Sequence, residues 1–338
     1  MRTSCFCRRS GNWQFLQQGR ETSAPIYDAT FYLGLRGDNE SWIYKDNQLL
    51  YKLEPDSWID GLATMSDGSI YACGSVMSES ALWKDGKRME LDIDGAGESR
   101  LFDMVVRGND WLCCGAIFDD NGTYGIILKN GEIVYRSDYG VLFECMDCGN
   151  SGDCYVVASK ERDIMLLQIE SSTWKLVSSQ IIVTESEDNI WETCIHVGRS
   201  DIAVGISETD TEKWETDARC WLNGTLMDIG EKSSIRDVTF FGGYLVLGGS
   251  YENITRPDPE SIEFHNSAVQ WVNGTPQDFS YECTGNSELS LLRNWNDLFL
   301  FQCVEHGGGV QICNNGDLLL AIPFTQAPYV MCWDIVVK

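Results

Sequence analysis

Six carboxylates recur at matching places along the chain: Asp60, Asp103, Glu144, Glu192, Asp237 and Asp334, with Ser290 at the seventh such place. Each sits near the start of a similar apolar stretch, as in Leu101-Phe102-Asp103-Met104-Val105-Val106. Carboxylates gathered into one ring could hold a hard cation such as Ca²⁺, which takes several carboxylate and carbonyl oxygens. Each could instead accept backbone N–H bonds from a neighbouring repeat. Use in nearly every repeat favours this second reading, because function usually breaks the symmetry of a scaffold. A ring facing an open channel would crowd like charges and raise some of their pKa values. Apart from a cation in that channel, no cofactor is expected.

Other chemistry-bearing residues point less clearly. The spacing Cys145-x-x-Cys148-x5-Cys154 could serve zinc or redox chemistry, but no second CxxC or CxH follows it. Most of the 14 Cys lie inside apolar runs, where a free thiol behaves as a small buried hydrophobe. Disulfides are compatible with an oxidising compartment. Only three His exist, His196, His265 and His306. A three-His zinc site would need all of them, and His196 lies in a different kind of segment from the other two. No metal site is therefore assigned. Sequences of the type GxSxG, P-loop or HExxH are absent, so no catalytic residue is assigned either.

These residues must be positioned by strands. Ala81-Leu82-Trp83-Lys84-Asp85-Gly86-Lys87-Arg88-Met89-Glu90-Leu91 reads as two strands about an Asp-Gly turn, since a type I′ turn needs φ > 0 at both central residues. Its relatives are Tyr44-Lys45-Asp46-Asn47, Leu128-Lys129-Asn130-Gly131, a degenerate Ile169-Glu170-Ser171-Ser172, Trp221-Leu222-Asn223-Gly224, Trp271-Val272-Asn273-Gly274 and Cys313-Asn314-Asn315-Gly316. Their spacing of roughly 40–50 residues is that of propeller blades. A second pair of apolar runs precedes each hairpin, and its later run often ends on Gly, as at Gly34, Gly74, Gly115, Gly205 and Gly248. Each repeat is thus four short strands, here A to D. Helical periodicity is absent.

The expected fold is an all-β, seven-bladed β-propeller with four antiparallel strands per blade. The first repeat, from about Thr30, begins at a B strand, whereas Met331-Cys332-Trp333-Asp334-Ile335-Val336-Val337 matches the A pattern with no B strand after it. The C-terminal strand should therefore pair into the N-terminal blade and close the ring. Residues 1–24 fit no repeat and are read as a disordered tail or leader, leaving 25–338 as a single propeller domain. The apolar strand ending in Gly, followed by a Trp-x-Asn/Asp-Gly hairpin, resembles uncharacterised bacterial seven-bladed propellers, with a weaker likeness to kelch repeats through Phe241-Gly242-Gly243-Tyr244-Leu245-Val246-Leu247-Gly248-Gly249. That resemblance covers residues 30–338 and implies an extracytoplasmic location, periplasmic or at the cell surface. No signal peptide is visible, and no residue role carries over.

Function is expected on one face. D–A and B–C loops share the usual binding face of a propeller, and irregular loops on a rigid scaffold are where function concentrates. The longest B–C loops are expected at Ser207–Ala218 and Tyr251–Ser267. Candidates on that face are Arg36, Trp58, Asp119, Tyr139, Arg162, Trp191, Tyr251, Arg256, His265 and His306. The repeated Trp83, Trp221 and Trp271 are read as packing residues. A formal net charge of −26 disfavours nucleic acid and anionic membranes, which need a basic footprint. No run of 18 apolar residues exists, so no membrane insertion is expected. The first functional reading is a monomeric, non-enzymatic binding scaffold for a protein, peptide or glycan. The alternative is a carbohydrate-active hydrolase or lyase using carboxylates, Arg and His of the same face.

Overall fold

A computed structural model describes residues 30–338 except 38, 92, 94–97, 121, 185–188, 214, 259–260, 278–286, 296–297, 306–308, 315–316, 324–330 and 338. The N-terminal segment 1–24 lies outside the described residues. The described chain contains strands and turns and no helix.

The first strands are β1 (Phe31–Arg36), β2 (Ser41–Lys45) and β3 (Gln48–Lys52), followed by β4 (Ser57–Thr64), β5 (Ile70–Val76), β6 (Glu79–Lys84) and β7 (Lys87–Met89). Next come β8 (Glu98–Arg107), β9 (Asp110–Asp119), β10 (Gly122–Lys129) and β11 (Glu132–Arg136). After them follow β12 (Val141–Cys148), β13 (Cys154–Lys160), β14 (Asp163–Glu170) and β15 (Lys175–Thr184). The chain continues through β16 (Asn189–Val197), β17 (Ile202–Asp210), β18 (Glu215–Leu222) and β19 (Thr225–Gly230). The next four are β20 (Ser233–Phe241), β21 (Tyr244–Asp258), β22 (Ser261–Val272) and β23 (Thr275–Gln277). It ends with β24 (Ser287–Trp295), β25 (Leu298–Glu305), β26 (Gly309–Asn314), β27 (Asp317–Pro323) and β28 (Met331–Val337).

Consecutive strands pair as antiparallel meanders. Among the described residues these form five four-stranded sheets and one eight-stranded sheet, the latter running β8 to β15. Its two halves are joined by a single parallel pair, Tyr124 with Val141. β28 pairs antiparallel with β1, from Phe31 opposite Val337 to Arg36 opposite Met331. The first strands of successive meanders lie against one another in the order β4, β8, β12, β16, β20, β24 and β28, and β28 lies against β4.

The apolar core is distributed between sheets. One cluster joins Leu82 and Cys73 to Leu101, Cys113 and Ile126 of the next sheet. Another joins Ile43 to Ile59, Ala72 and Trp83. Others join Val157 and Ile164 to Val204 and Trp221, and Ala203 and Cys220 to Ile235 and Trp271. An apolar face that one small sheet cannot cover is covered by its neighbour, as expected when sheets pack face to face. Trp83, Trp221 and Trp271 are all buried in these seams.

The recurring turn has a structural role that goes beyond its type. Asp85-Gly86, Asn130-Gly131, Asn223-Gly224 and Asn273-Gly274 each have φ > 0 at both residues, as a type I′ hairpin requires. In each the Asx side chain also reaches the start of the B strand. Ile70 N–H donates to Asp85 Oδ1 at 3.0 Å, Trp111 N–H to Asn130 Oδ1 at 3.1 Å, Ile202 N–H to Asn223 Oδ1 at 2.9 Å and Leu245 N–H to Asn273 Oδ1 at 3.0 Å. The Asx N–H returns a bond to the carbonyl of the same residue. One side chain thus ties the C–D turn to the A–B turn and leaves no unpaired N–H at the strand start. Asp46 makes the same pair of bonds with Phe31. In the degenerate copy the positive φ falls on Trp174 instead. The seventh copy, Asn315-Gly316, lies outside the described residues.

The two long B–C segments are hairpins rather than loops. β17 and β18 stay paired out to Asp210 opposite Glu215, and β21 and β22 to Asp258 opposite Ser261. Cross-strand pairs sustain the first extension: the Thr209 and Thr216 hydroxyls lie 2.9 Å apart, and Arg219 Nη2 meets Glu208 Oε2 at 2.8 Å. Such pairs stabilise a ladder well beyond the core.

Candidate functional site

A cavity of about 510 Å³ opens between the β4–β7 sheet and the first strands of the next sheet. Its walls are the β1–β2 turn at Asn39, the β3–β4 turn at Asp56, the β5–β6 turn at Met77 and Ser78, Trp58 of β4, Glu98, Arg100 and Phe102 of β8, and Phe118 of β9. These are B–C and D–A connections and the strand ends beside them, the face on which ligand contacts were expected.

Trp58 and Arg100 organise the cavity. Both belong to A strands that carry a β-bulge, an extra residue that turns side chains toward a new direction; the bulges fall between Ile59 and Gly61 and between Leu101 and Asp103. The B strand opposite has no room for a Cβ at this level. One built on Gly115 would stand 2.1 Å from the Arg100 carbonyl oxygen, and one on Gly249 would stand 1.8 Å from that of Ser234. At Gly34, Gly74 and Gly115 the Gly that closes the apolar run is the partner of a bulge; β16, opposite Gly205, carries none, and in β21 the crowded residue is Gly249, next to Gly248.

Arg100 donates through Nη2 to Asp60 Oδ1 at 3.0 Å and through Nε to Asp60 Oδ2 at 3.2 Å, a forked pair. Its guanidinium lies 5.0 Å from the Trp58 ring and 5.1 Å from the Phe102 ring. Arg36 stacks on Trp58 at 3.4 Å and stands 3.8 Å from Asp60. Burial raises the pKa of Asp60, and Arg100 and then Arg36 oppose that rise. Burial lowers the pKa of Arg36, although a guanidinium remains charged in any case. The Arg100 Nη1 donors point to no protein acceptor among the described residues. The cavity therefore presents a held cationic donor between aromatic rings, with Met77 and Phe118 adding apolar wall.

The aligned carboxylates have different partners and different registers. Asp60 and Glu144 are the bulge residues themselves, whereas Asp103 and Asp237 come one residue after a bulge. Asp103 accepts Met104 N–H at 2.7 Å and Met146 N–H of β12 at 2.9 Å. Asp237 accepts Val238 N–H and Leu292 N–H of β24, both at 2.8 Å. Asp147, outside the aligned set, makes the same bridge between Cys148 N–H and Val197 N–H of β16, both at 2.7 Å. Glu144 accepts from Ser159 Oγ at 2.7 Å, and burial raises its pKa. Glu192 is exposed and pairs with Arg236. The Asp334 side chain lies outside the described residues. No group of three His, Cys, Asp or Glu is placed to hold a metal ion among the described residues.

The remaining candidates do not line this cavity. Asp119 and Tyr139 fall in one cluster: Arg136 stands 3.6 Å from Asp119 and 4.2 Å from the Tyr124 ring, and Tyr124 meets Tyr139 edge-on at 6.1 Å. Tyr139 is 61% exposed, the most open aromatic of that cluster. Arg162 sits in the exposed β13–β14 turn. Tyr251 packs edge-on against Trp271 at 5.7 Å. Trp191, Arg256 and His265 lie on β16, β21 and β22 with only their backbone described, and His306 lies outside the described residues. Arg36 and Trp58 are thus brought together at the cavity. Arg100, Phe102 and Phe118 complete it, and sequence reasoning did not single them out.

Solved structures share this architecture. The structure of the Dos1 propeller matches with a TM-score of 0.55 at 16% identity, covering 86% of this chain and 76% of that one. The crystal structure of a protein from Lactobacillus plantarum matches with a TM-score of 0.50 at 9% identity, covering 90% of this chain and 99% of that one. No family model matches the chain, and no curated protein matches its sequence. At such identities the likeness is one of fold, and the chain is an all-β protein of the β-propeller class.

Proposed function

We propose that this propeller is a non-enzymatic binding scaffold whose ligand seat is the Trp58–Arg100 cavity, and that its occupant is a segment of peptide or protein. The observation that carries this reading is the Arg100 guanidinium, held from behind by Asp60 and flanked by two aromatic rings, with Nη1 turned to no protein partner among the described residues. A ligand carbonyl or carboxylate would accept from that donor, and an apolar side chain would fill the space beside Met77, Phe102 and Phe118. A fixed aromatic and arginine anchor at the centre of a cleft is the arrangement that dominates binding energy at interfaces. The scaffold reading includes seven blades, with the eight-stranded sheet counted as two blades joined at Tyr124 and Val141, and a ring closed by β28.

The test is a peptide-array screen followed by titration of the best binder. Arg100→Lys, which retains a charge opposite Asp60 but loses the fork, should weaken binding at least tenfold, and Phe118→Ala should do so comparably. Unchanged affinity in both folded variants would remove the cavity from the function. A glycan library run alongside tests the enzyme alternative: product release lost in Asp56→Asn or Glu98→Gln would favour it.

A further inference from the structure

The turn between β12 and β13 carries two cysteines that the binding site does not use. Cys148 and Cys154 are direct cross-strand partners, and their Sγ atoms lie 3.2 Å apart. Inside them, Gly149 N–H donates to the Asp153 carbonyl. Pairs alternate along an antiparallel ladder, so the 148–154 pair is of the non-hydrogen-bonded kind, with Cα atoms about 4.5 Å apart. That separation lies within the range a disulfide spans. Cys148 is partly exposed, whereas Cys154 is buried. An outside reagent therefore meets Cys148 first.

Arg107 of β8 is fastened over the turn between them. Its Nη1 donates to the Gly152 carbonyl at 2.6 Å and to Ser171 Oγ at 2.9 Å. A Cβ on Gly152, which has φ 93°, would overlap the guanidinium. The Cys148 S–H and then Arg107 hold the Cys154 thiol below its ordinary value, against burial and the carboxylates of Asp153 and Asp147. The other described thiols are in a different situation. Burial pushes Cys73, Cys114, Cys145 and Cys194 up and Cys220 to about 12. A thiolate is the reactive form; within the pair Cys154 is favoured as the thiolate, whereas the bond with Cys154 and then burial raise Cys148, which is the S–H donor, so the pair stands apart in geometry and shares one thiolate.

We propose that Cys148 and Cys154 form a reversible redox pair, oxidised to a cross-strand disulfide beside the β12–β13 turn by low-molecular-weight disulfides and reduced again by thiols. Cys148 S–H passes its proton to the Cys154 thiolate, and the Cys148 thiolate so formed attacks one sulfur of an external disulfide RSSR; the RS⁻ released takes that proton back from Cys154. The Cys154 thiolate then attacks the Cys148 sulfur of the mixed disulfide and releases the second RS⁻. The two cysteines lose two protons and two electrons, and RSSR becomes two RSH. Closure fixes the turn directly beside Asp147, whose carboxylate ties Cys148 N–H to Val197 N–H of the neighbouring sheet.

The full chain, equilibrated in oxidised and reduced glutathione, is quenched with acid, alkylated, digested with trypsin and examined by mass spectrometry. The peptide 137–160 holds Cys145, Cys148 and Cys154. It should appear lighter by two hydrogens, with one alkylated cysteine at Cys145. Cys148→Ser and Cys154→Ala should each abolish the loss, and Cys145→Ser should keep it. Arg107→Gln, which leaves both cysteines in place, should slow disulfide formation several-fold. Three alkylated cysteines across the whole redox range, a stable glutathione adduct on Cys148, or a bridge to Cys145 would each overturn the proposal.

Discussion

Asp237 shows how a single carboxylate joins two sheets. It is 8% exposed and accepts one N–H from its own strand and one from β24. Asp237→Ala leaves both donors without that acceptor, and a buried unpaired group costs roughly 1–3 kcal/mol, so a loss of about 3 kcal/mol is expected in urea denaturation. Asp237→Asn keeps one acceptor oxygen and should lose about half as much. Glu144 calls for the opposite reasoning. Burial raises its pKa above the ordinary 4.5, partly offset by the Ser159 bond. Between 4.5 and that raised value the native state holds a proton the unfolded chain has released, so stability falls as pH rises through the window. Glu144→Gln keeps an oxygen for Ser159 and removes the titration. Its urea midpoint should therefore vary less with pH than that of the parent above pH 4.5; parallel profiles would show that Glu144 is solvated and ordinary.

At the scale of the strand, the bulge of A and the glycine of B act as one device. Gly115→Ala places a Cβ 2.1 Å from the Arg100 carbonyl, and backbone cannot yield as a side-chain tip can. A loss of about 3 kcal/mol is expected from thermal or urea unfolding, together with weaker ligand binding, because the displaced backbone is that of Arg100. The Gly-ended run was legible in the sequence, and so was the Asx-Gly turn. The bulge was not. One extra residue leaves the apolar pattern readable while moving every later side chain to the other face. Asp60 and Asp103 therefore align by pattern, yet differ by one place in register. The same silence hid Arg100: its neighbours read as the start of a strand, and only the fold brings Asp60 and Trp58 of the preceding sheet to it. The charged B–C segments read as loops because polar residues mark loops, but cross-strand Thr–Thr and Arg–Glu pairs can extend a hairpin without an apolar face.

The whole molecule is governed by sheets that cannot stand alone. Each core cluster is shared between neighbours, so the cost of removing one strand falls on three sheets rather than one. β28 is the sharpest case, because it pairs with β1 and lies against β4 and β24. Deleting residues 331–338 strips β1 of one of its two ladders and opens the seams to β4 and β24. Long-range pairing of this kind joins segments some 300 residues apart, and its loop-closure entropy grows only slowly with length. The strand can therefore contribute several kcal/mol net, as expected for a buried element with a full ladder. A drop in melting temperature of about 10 °C or more is expected on that basis, with the transition broadened as the seams uncouple. An exposed β1 edge should also promote association, visible by light scattering at moderate salt, where the repulsion from a net charge of −26 is screened. A truncated chain that melts at the parent temperature, as a monomer, would show that β28 is an accessory strand.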